Sequence, residues 1–346
     1  MGKLNFVAGD IGGTKTALGV FELAEGDYLP ELKIHKNYQS RDYESFNQLL
    51  TIFVKECDLS SAGMLGAFGI PGVVIAGEVA PVNLPWRVSE TELKQALGFR
   101  SVKLVNDLVA TASGLEMLQQ NNLICLHQGD RSEKEQDALV SVVVAPGTGL
   151  GHALIVSHPS GEKLILPCEA GHANFAPNSE LEAELWRYLL SKGEPISVES
   201  VLSGPGLVNI YNFLHEVKGF EQPPELKALL EDGDKSAVIT NTAIENNYPI
   251  STQSLDIFIG ILGSHLGNFA LSVLALGGIF LAGGILPRLK ERLLEDLLLK
   301  AFLKKAKLVN ILERIPITLV TENKTGLLGA GLIACKQSEL FAQTKS

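Results

Sequence analysis

The chain opens with two short apolar runs on either side of a glycine turn. Residues 7–21 read VAGDIGGTKTALGVF: apolar positions lead into Gly9, Asp10, Gly12, Gly13 and Thr14, and after Lys15 and Thr16 the apolar character resumes. Two runs of strand length around so tight a turn predict a β-hairpin, not a strand feeding a helix. A strand is predicted over 33–38, then a helix over 43–56 with Phe46, Leu49, Leu50 and Phe53 at helical spacing. MLGAFGI at 64–70 predicts a fully buried strand, and a capping box at Ser89 and Glu92 opens a helix over 89–97. Residues 101–105 then predict a strand that delivers Asn106 and Asp107 to a helix over 108–118.

Residues 119–134 are polar with short apolar interruptions and read as passage into a second domain. There ALVSVVVA (138–145) predicts a β-branched strand ending in PGTGLG (146–151), after which apolar residues resume at 152–156. Strand, Gly-Thr turn and strand thus recur, an internal echo of the opening hairpin. Downstream, 180–190 reads as a helix, 197–206 as a short segment ending in a turn followed by helical residues, and 231–234 as a solvated turn. GGIFLAGGILPR (277–288) predicts a strand ending at Gly283 and Gly284 with a helix starting near Pro287. A basic and apolar helix over 289–306, a strand over 317–320 and a last helix over 325–336 complete the pattern. Residues 257–287 hold no Asp, Glu, Lys or Arg and are long enough to span a bilayer by count. The paired glycines that bracket Ile279–Ala282 favour a buried helix, a buried strand and a turn instead.

At 346 residues the chain suits two domains with a sizeable core. A net charge of −10 and a pI near 5.3 argue against nucleic acid and anionic membranes as partners. Four scattered cysteines form no C-x-x-C pair, which fits reduced thiols in a cytoplasmic setting, and no signal peptide is visible.

The opening turn carries a carboxylate, unobstructed backbone amides, hydroxyls and a lysine, the groups that hold a metal-bound polyphosphate; read alone it is more readily an ordinary glycine hairpin. The echo at Pro146, Gly147, Thr148 and Gly149 strengthens the phosphate reading. Its G-x-G-x-G spacing followed by a strand excludes a dinucleotide fingerprint, and no G-x-x-x-x-G-K-[ST] loop occurs. Asn106 and Asp107 stand where a strand end meets a helix start, the usual place for ligands on an open sheet, although the pair could simply cap the helix. Glu169 and His172 have E-x-x-H spacing, but Pro167, Gly171 and Pro177 make a metal-binding helix improbable and favour polar recognition on a loop. Glu199 is either a solvated acid or a ligand contact. The joint at Gly283 and Gly284 allows a planar base or a phosphate to approach the backbone, or else close packing.

GDIGGTKT, LVNDLVAT, APGTGLG, EAGHANFAPNSE, VESVLSGPGLVN, LAGGILPR and TGLLGAG together resemble bacterial glucokinases of the actin-like sugar-kinase superfamily over nearly the whole chain. The resemblance implies a two-domain actin-like (ribonuclease H-like) α/β fold with an interdomain cleft. Residues 1–117 plus 324–346 would form the smaller domain and 118–323 the larger. It implies a transferase of glycolysis that moves the γ-phosphoryl group of ATP to the 6-hydroxyl of glucose with Mg2+, usually as a homodimer. By the same likeness Asp107 is the base; Asn83, Asn106, Asp107, Glu169, His172 and Glu199 meet the sugar. Gly9, Asp10, Gly12, Gly13, Thr14, Lys15, Gly147, Thr148 and Gly149 serve the phosphates, with Asp10 on the metal, and Gly283 and Gly284 the adenosine. Lys15 departs from the Asn common among these glucokinases. Lys is commoner in a related repressor-and-kinase sugar family, whose Cys-rich zinc motif and DNA-binding domain are absent here. Rival readings are a kinase of another hexose, a polyphosphate-dependent glucokinase, and a non-catalytic sugar sensor, the last disfavoured by the intact Asp107.

Overall fold

Strand β1 (Lys3–Ile11) divides its side chains between two cores, as period-2 geometry requires of a strand covered on both faces. Phe6 and Ala8 join Phe21, Leu23, Leu327 and Ala330 on one side, while Val7 and Ile11 join Leu18, Val20, Phe46 and Leu49 on the other. The computed structural model describes residues 3–81, 84–130, 139–193 and 195–338. It is mixed α/β and falls into two units, one of Met1–Asn122, Ile165–Pro167 and Glu322–Ser346, the other of Leu123–Leu164 and Cys168–Thr321.

In the first unit β1, β2 (Lys15–Ala24) and β3 (Glu31–Gln39) form an antiparallel meander. Helix α1 (Phe46–Glu56) follows, capped by Ser45 and burying Phe46, Leu49, Leu50 and Phe53. It starts later than the pattern suggested because Tyr43 and Ser45 are extended and the Ser45 hydroxyl caps the first turn by accepting the Gln48 N–H. Strand β4 (Leu65–Ile70) is buried throughout. A small ribbon, β5 (Glu78–Val79) with β6 (Val88–Ser89), leads to α2 (Glu90–Leu97), whose first turn is capped by Ser89. Strand β7 (Ser101–Asn106) and helix α3 (Asp107–Gly114) complete the run, and the sheet order is β3-β2-β1-β4-β7 with β1, β4 and β7 parallel. Helix α3 ends at Gly114, short of the expected 118, and tightens into a 3-10 turn over Leu115–Met117.

The second unit begins with β8 (Leu123–His127), a strand within the stretch read as polar passage. No position of β8 is fully buried, and its antiparallel partner lies almost two hundred residues away, so its local pattern is faint. Strands β9 (Leu139–Pro146) and β10 (Leu150–Ser157) form the second hairpin, followed by β11 (Lys163–Cys168) and helices α4 (Glu180–Leu190), α5 (Gly204–Glu216), α6 (Pro224–Asp232) and α7 (Lys235–Ile244). The turn expected near Gly206 is instead the first turn of α5, with Ser203 as cap and Pro205 in its first turn. Helix α8 (Pro249–Val273) is apolar on most sides because it is a core helix: Leu255, Phe258, Ile259, Leu262 and Leu266 are among its many buried side chains. Strand β12 (Gly278–Leu281) precedes α9 (Lys290–Leu293) and α10 (Asp296–Leu303), which replace the single helix expected over 289–306. Glu295 is extended, and α10 turns to pack on α8, where Gly267 lets the Phe302 carbonyl approach. After α11 (Val309–Leu312), β13 (Ile317–Val320) closes a sheet of order β11-β10-β9-β12-β13-β8, with β9, β12 and β13 parallel. Each unit is therefore a hairpin extended by parallel strands, the repeated plan of an actin-like fold. The last helix, α12 (Thr325–Lys336), packs in the first unit against α3, β1 and β4.

Candidate active site

Strand β7 runs straight into α3, and the joint fixes both predicted side chains. Asn106 is the extended N-cap of α3: its Oδ1 accepts the Leu108 N–H at 2.9 Å while its Nδ2 donates to the Gly72 carbonyl at 3.2 Å. Asp107 Oδ1 also accepts from Leu108 N–H, at 3.0 Å. The bonds that cap the helix also orient the amide. Two strands away, Asp10, one residue before the end of β1, pairs with Gly69, and a Cβ on Gly69 would lie 3.4 Å from the Asp107 Cα. Burial, with the negative charge of Asp107 second, raises the Asp10 pKa from 3.8 to about 7. Gly326, in the first turn of α12, closes the other side, since a Cβ there would fall 2.5 Å from Asp10 Oδ2.

The first turn is held by Gly12 N–H donating to the Lys15 carbonyl at 2.9 Å. Ser40 braces it from β3's end: its N–H donates to Thr14 O at 2.9 Å, and its hydroxyl donates to Gly12 O at 2.7 Å and lies 2.9 Å from Thr16 Oγ1. Thr14 and Lys15 are exposed and Gly13 is half-buried. Gly9 differs from its neighbours in the motif: it is buried against Leu18 and Phe68 and serves packing. Asn83 lies outside the described residues.

In the second unit the structure gathers Glu169, His172 and Glu199. Residues 171–175 pair with 196–199 through Val198 N–H to Ala173 O and Glu199 N–H to Gly171 O, both 2.9 Å. Glu169 precedes a 3-10 turn over Ala170–His172, so E-x-x-H is a single tight turn in which His172 Nε2 lies 3.9 Å from Glu169 Oε2. Both side chains are about half exposed, Glu169 at 49 % and His172 at 63 %. Glu199 is half-buried, and its Oε2 accepts the Leu150 N–H at 2.7 Å. The second turn closes with Gly147 N–H to Gly149 O at 2.8 Å, and Thr148 is exposed. Gly283, at φ +91°, packs so that a Cβ would lie 2.7 Å from Pro146 O, while Gly284 beside it faces open space. The two predicted nucleotide segments of this unit are thus adjacent.

Behind the Glu169 loop lies a cavity of about 310 Å³ lined by Ala173, Phe175, His265 and Phe269; the three sugar candidates do not line it. His265 shares an Nε2 to Nε2 hydrogen bond of 2.8 Å with buried His152. Burial holds both imidazoles neutral, lowering His152 to about 3 and His265 to about 4.

Among the described residues no cluster of three or more His, Cys, Asp or Glu could hold a metal ion by itself. A single carboxylate beside a substrate polyphosphate is a normal donor set for Mg2+, and half-buried Asp10, whose carboxyl is raised chiefly by burial and then by Asp107, is chemically suited to that place. Ser40, Gly326 and the Leu150 amide escaped sequence reasoning. Ser40 follows an unremarkable strand, and backbone amides carry no sequence signal. Gly326 was visible in TGLLGAG, but as part of a helical pattern.

The glucokinase family model matches residues 7–337. The chain belongs to the glucokinase family. A curated glucokinase from Nostoc sp. is 32 % identical over 343 residues, covering 95 % of this chain and 98 % of its own. The crystal structure of a glucokinase from an Antarctic psychrotroph superposes with a TM-score of 0.77 at 29 % identity, over 96 % of this chain and 98 % of that one. A ROK family glucokinase from Streptomyces griseus, solved with glucose and AMPPNP, shares the fold at 20 % identity and a TM-score of 0.62, over 97 % and 100 % of the two chains.

Proposed function

We propose that this protein is a glucokinase that phosphorylates glucose at its 6-hydroxyl with ATP. One observation carries the reading: in a chain matched by the glucokinase family over residues 7–337, Asp107 stands at the start of α3 with its cap intact and Asp10 beside it. The complex of the Streptomyces griseus enzyme with glucose and AMPPNP supports the choice of substrates.

A primary alcohol is a weak nucleophile until its proton has somewhere to go. Asp107 accepts the proton of the 6-hydroxyl as the bond from oxygen to the γ-phosphorus forms and the bond to ADP breaks. Asn106, aligned by its bonds to Leu108 and Gly72, directs the sugar toward Asp107, while Glu169, His172 and Glu199 take the remaining hydroxyls. A site built from such pairs rejects sugars that lack a hydroxyl. The Gly12 and Gly147 N–H groups hold their own turns closed, which leaves the amides of Gly13 and Thr14 in the first turn and of Thr148 in the second to meet the phosphates, while Gly283 and Gly284 admit the adenosine. Asp10 would hold Mg2+, which supplies charge neutralisation on the phosphates when bound.

The reading extends to a cytoplasmic, glycolytic homodimer with smaller domain 1–117 plus 324–346 and larger domain 118–323; light scattering of the purified protein checks the dimer. A coupled assay of ADP release across a panel of hexoses tests the assignment. Preference for glucose supports it, and equal rates on every hexose oppose it.

A further inference from the structure

The second hairpin turn is built around the carboxylate of Glu199. Leu150 N–H, an amide that a phosphate turn would be expected to leave for its anion, donates to Glu199 Oε2 at 2.7 Å. The backbone of Glu199 is fixed as well, its N–H donating to Gly171 O at 2.9 Å and its carbonyl accepting the Ser203 hydroxyl at 2.8 Å. The Gly204 N–H in turn donates to Gly147 O at 2.8 Å, so the turn, the Glu199 segment and the start of α5 form one hydrogen-bonded piece.

Gly149 is the point at which this piece crowds the Glu199 side chain. A Cβ there would meet Glu199 Oε2 at 2.5 Å, Cδ at 3.3 Å and Oε1 at 3.8 Å, and these are its three nearest neighbours. The backbone of Gly149 lies outside the left-handed region, so any L-residue could adopt it. Its lack of a side chain answers to one thing, the room that the Glu199 carboxylate needs.

We propose that Gly149 and the Leu150 amide are positioning residues for the sugar: they pin Oε2 of Glu199 and leave Oε1 aimed at the sugar hydroxyls. The proposal rests on the reading above that Glu199 contacts glucose. It moves Gly149 from the phosphate side of the reaction to the acceptor side. Because the obstacle to a side chain at 149 is the end of a flexible residue, an alanine is accommodated by displacing Glu199 while the fold stays intact.

Steady-state kinetics on Gly149→Ala, Glu199→Ala, the double variant and Glu199→Asp test this, with the melting temperature of each recorded. Glu199→Ala should raise the KM for glucose at least about tenfold, as loss of a charged hydrogen bond does. Gly149→Ala should raise it by a similar factor, with the KM for ATP moving far less. In the Glu199→Ala background Gly149→Ala should have no further effect on the glucose KM, because the atom it displaces is gone. Glu199→Asp keeps the charge but withdraws it from the Leu150 amide, and should behave nearly as Glu199→Ala. An unchanged glucose KM in Gly149→Ala, independent multiplying effects in the double variant, or a wild-type KM in Glu199→Asp would each overturn the positioning role. An unchanged KM in Glu199→Ala would instead overturn the sugar contact itself, and the positioning role with it.

Discussion

Asp107 lies close enough to Asp10 for its negative charge to help raise the Asp10 pKa from 3.8 to about 7. Two carboxylates on one side of a sheet, separated by a glycine strand end, repel each other until a cation or a proton intervenes. Burial is the larger cause, and with both acting the Asp10 carboxyl keeps its proton up to about pH 7.

A stability profile follows from this pair. Below about pH 3.8 Asp10 is protonated in both the folded and unfolded chain, and its contribution is fully present. As pH rises toward 7 the unfolded carboxyl ionises first, and stability falls by about 1.4 kcal/mol per pH unit from this group. Asp10→Asn should remove that loss, so the variant should be the more stable protein at pH 8 in urea titration while turning over far more slowly.

The buried histidine pair acts in the opposite direction. His152 and His265 have folded pKa values of about 3 and 4 against 6.5 for a free imidazole, so their stabilising contribution is complete above pH 6.5 and is lost as pH falls toward those values. Proton NMR should show two imidazoles that stay neutral at pH 5.5, and His265→Phe should reduce the acid sensitivity of unfolding.

The approach of α3 to α12 depends on glycine. A Cβ on Gly329 would collide with the Ala110 carbonyl, and one on Gly114 with that of Thr325. Backbone cannot move aside as a side chain can, so Gly329→Val should cost about 3 kcal/mol or more and lower the melting temperature by several degrees. Because α3 carries Asp107, any folded Gly329→Val protein should also lose turnover number more than glucose affinity.

Ser40 supports the first turn with three hydrogen-bonding contacts. Ser40→Ala leaves Gly12 O and Thr16 Oγ1 without their hydroxyl partner, at about 1–2 kcal/mol. The KM for ATP should rise more than the KM for glucose, which a kinetic series with each substrate varied in turn will show.

Local pattern carried much of this architecture. Phe46, Leu49, Leu50 and Phe53 announce α1, and the Gly-Thr turns at 12–15 and 147–149 announce both hairpins, because each signal lies within a single element. Strand β8 was invisible because its partner β13 is far away in sequence, and the break between α9 and α10 is imposed by packing on α8. At the site, Asn106 and Asp107 were legible as residues at a strand and helix joint. The bond from Leu150 N–H to Glu199 was not, since a backbone donor leaves no mark on composition or spacing.

The central claim is that Asp107 takes the proton of the sugar hydroxyl. Turnover of Asp107→Asn with saturating glucose and ATP, measured by a coupled ADP assay beside the wild type, tests it most directly. Loss of at least about 10³-fold in kcat with glucose binding retained is the predicted result. An Asp107→Asn protein that turns over at close to the wild-type rate would contradict the account.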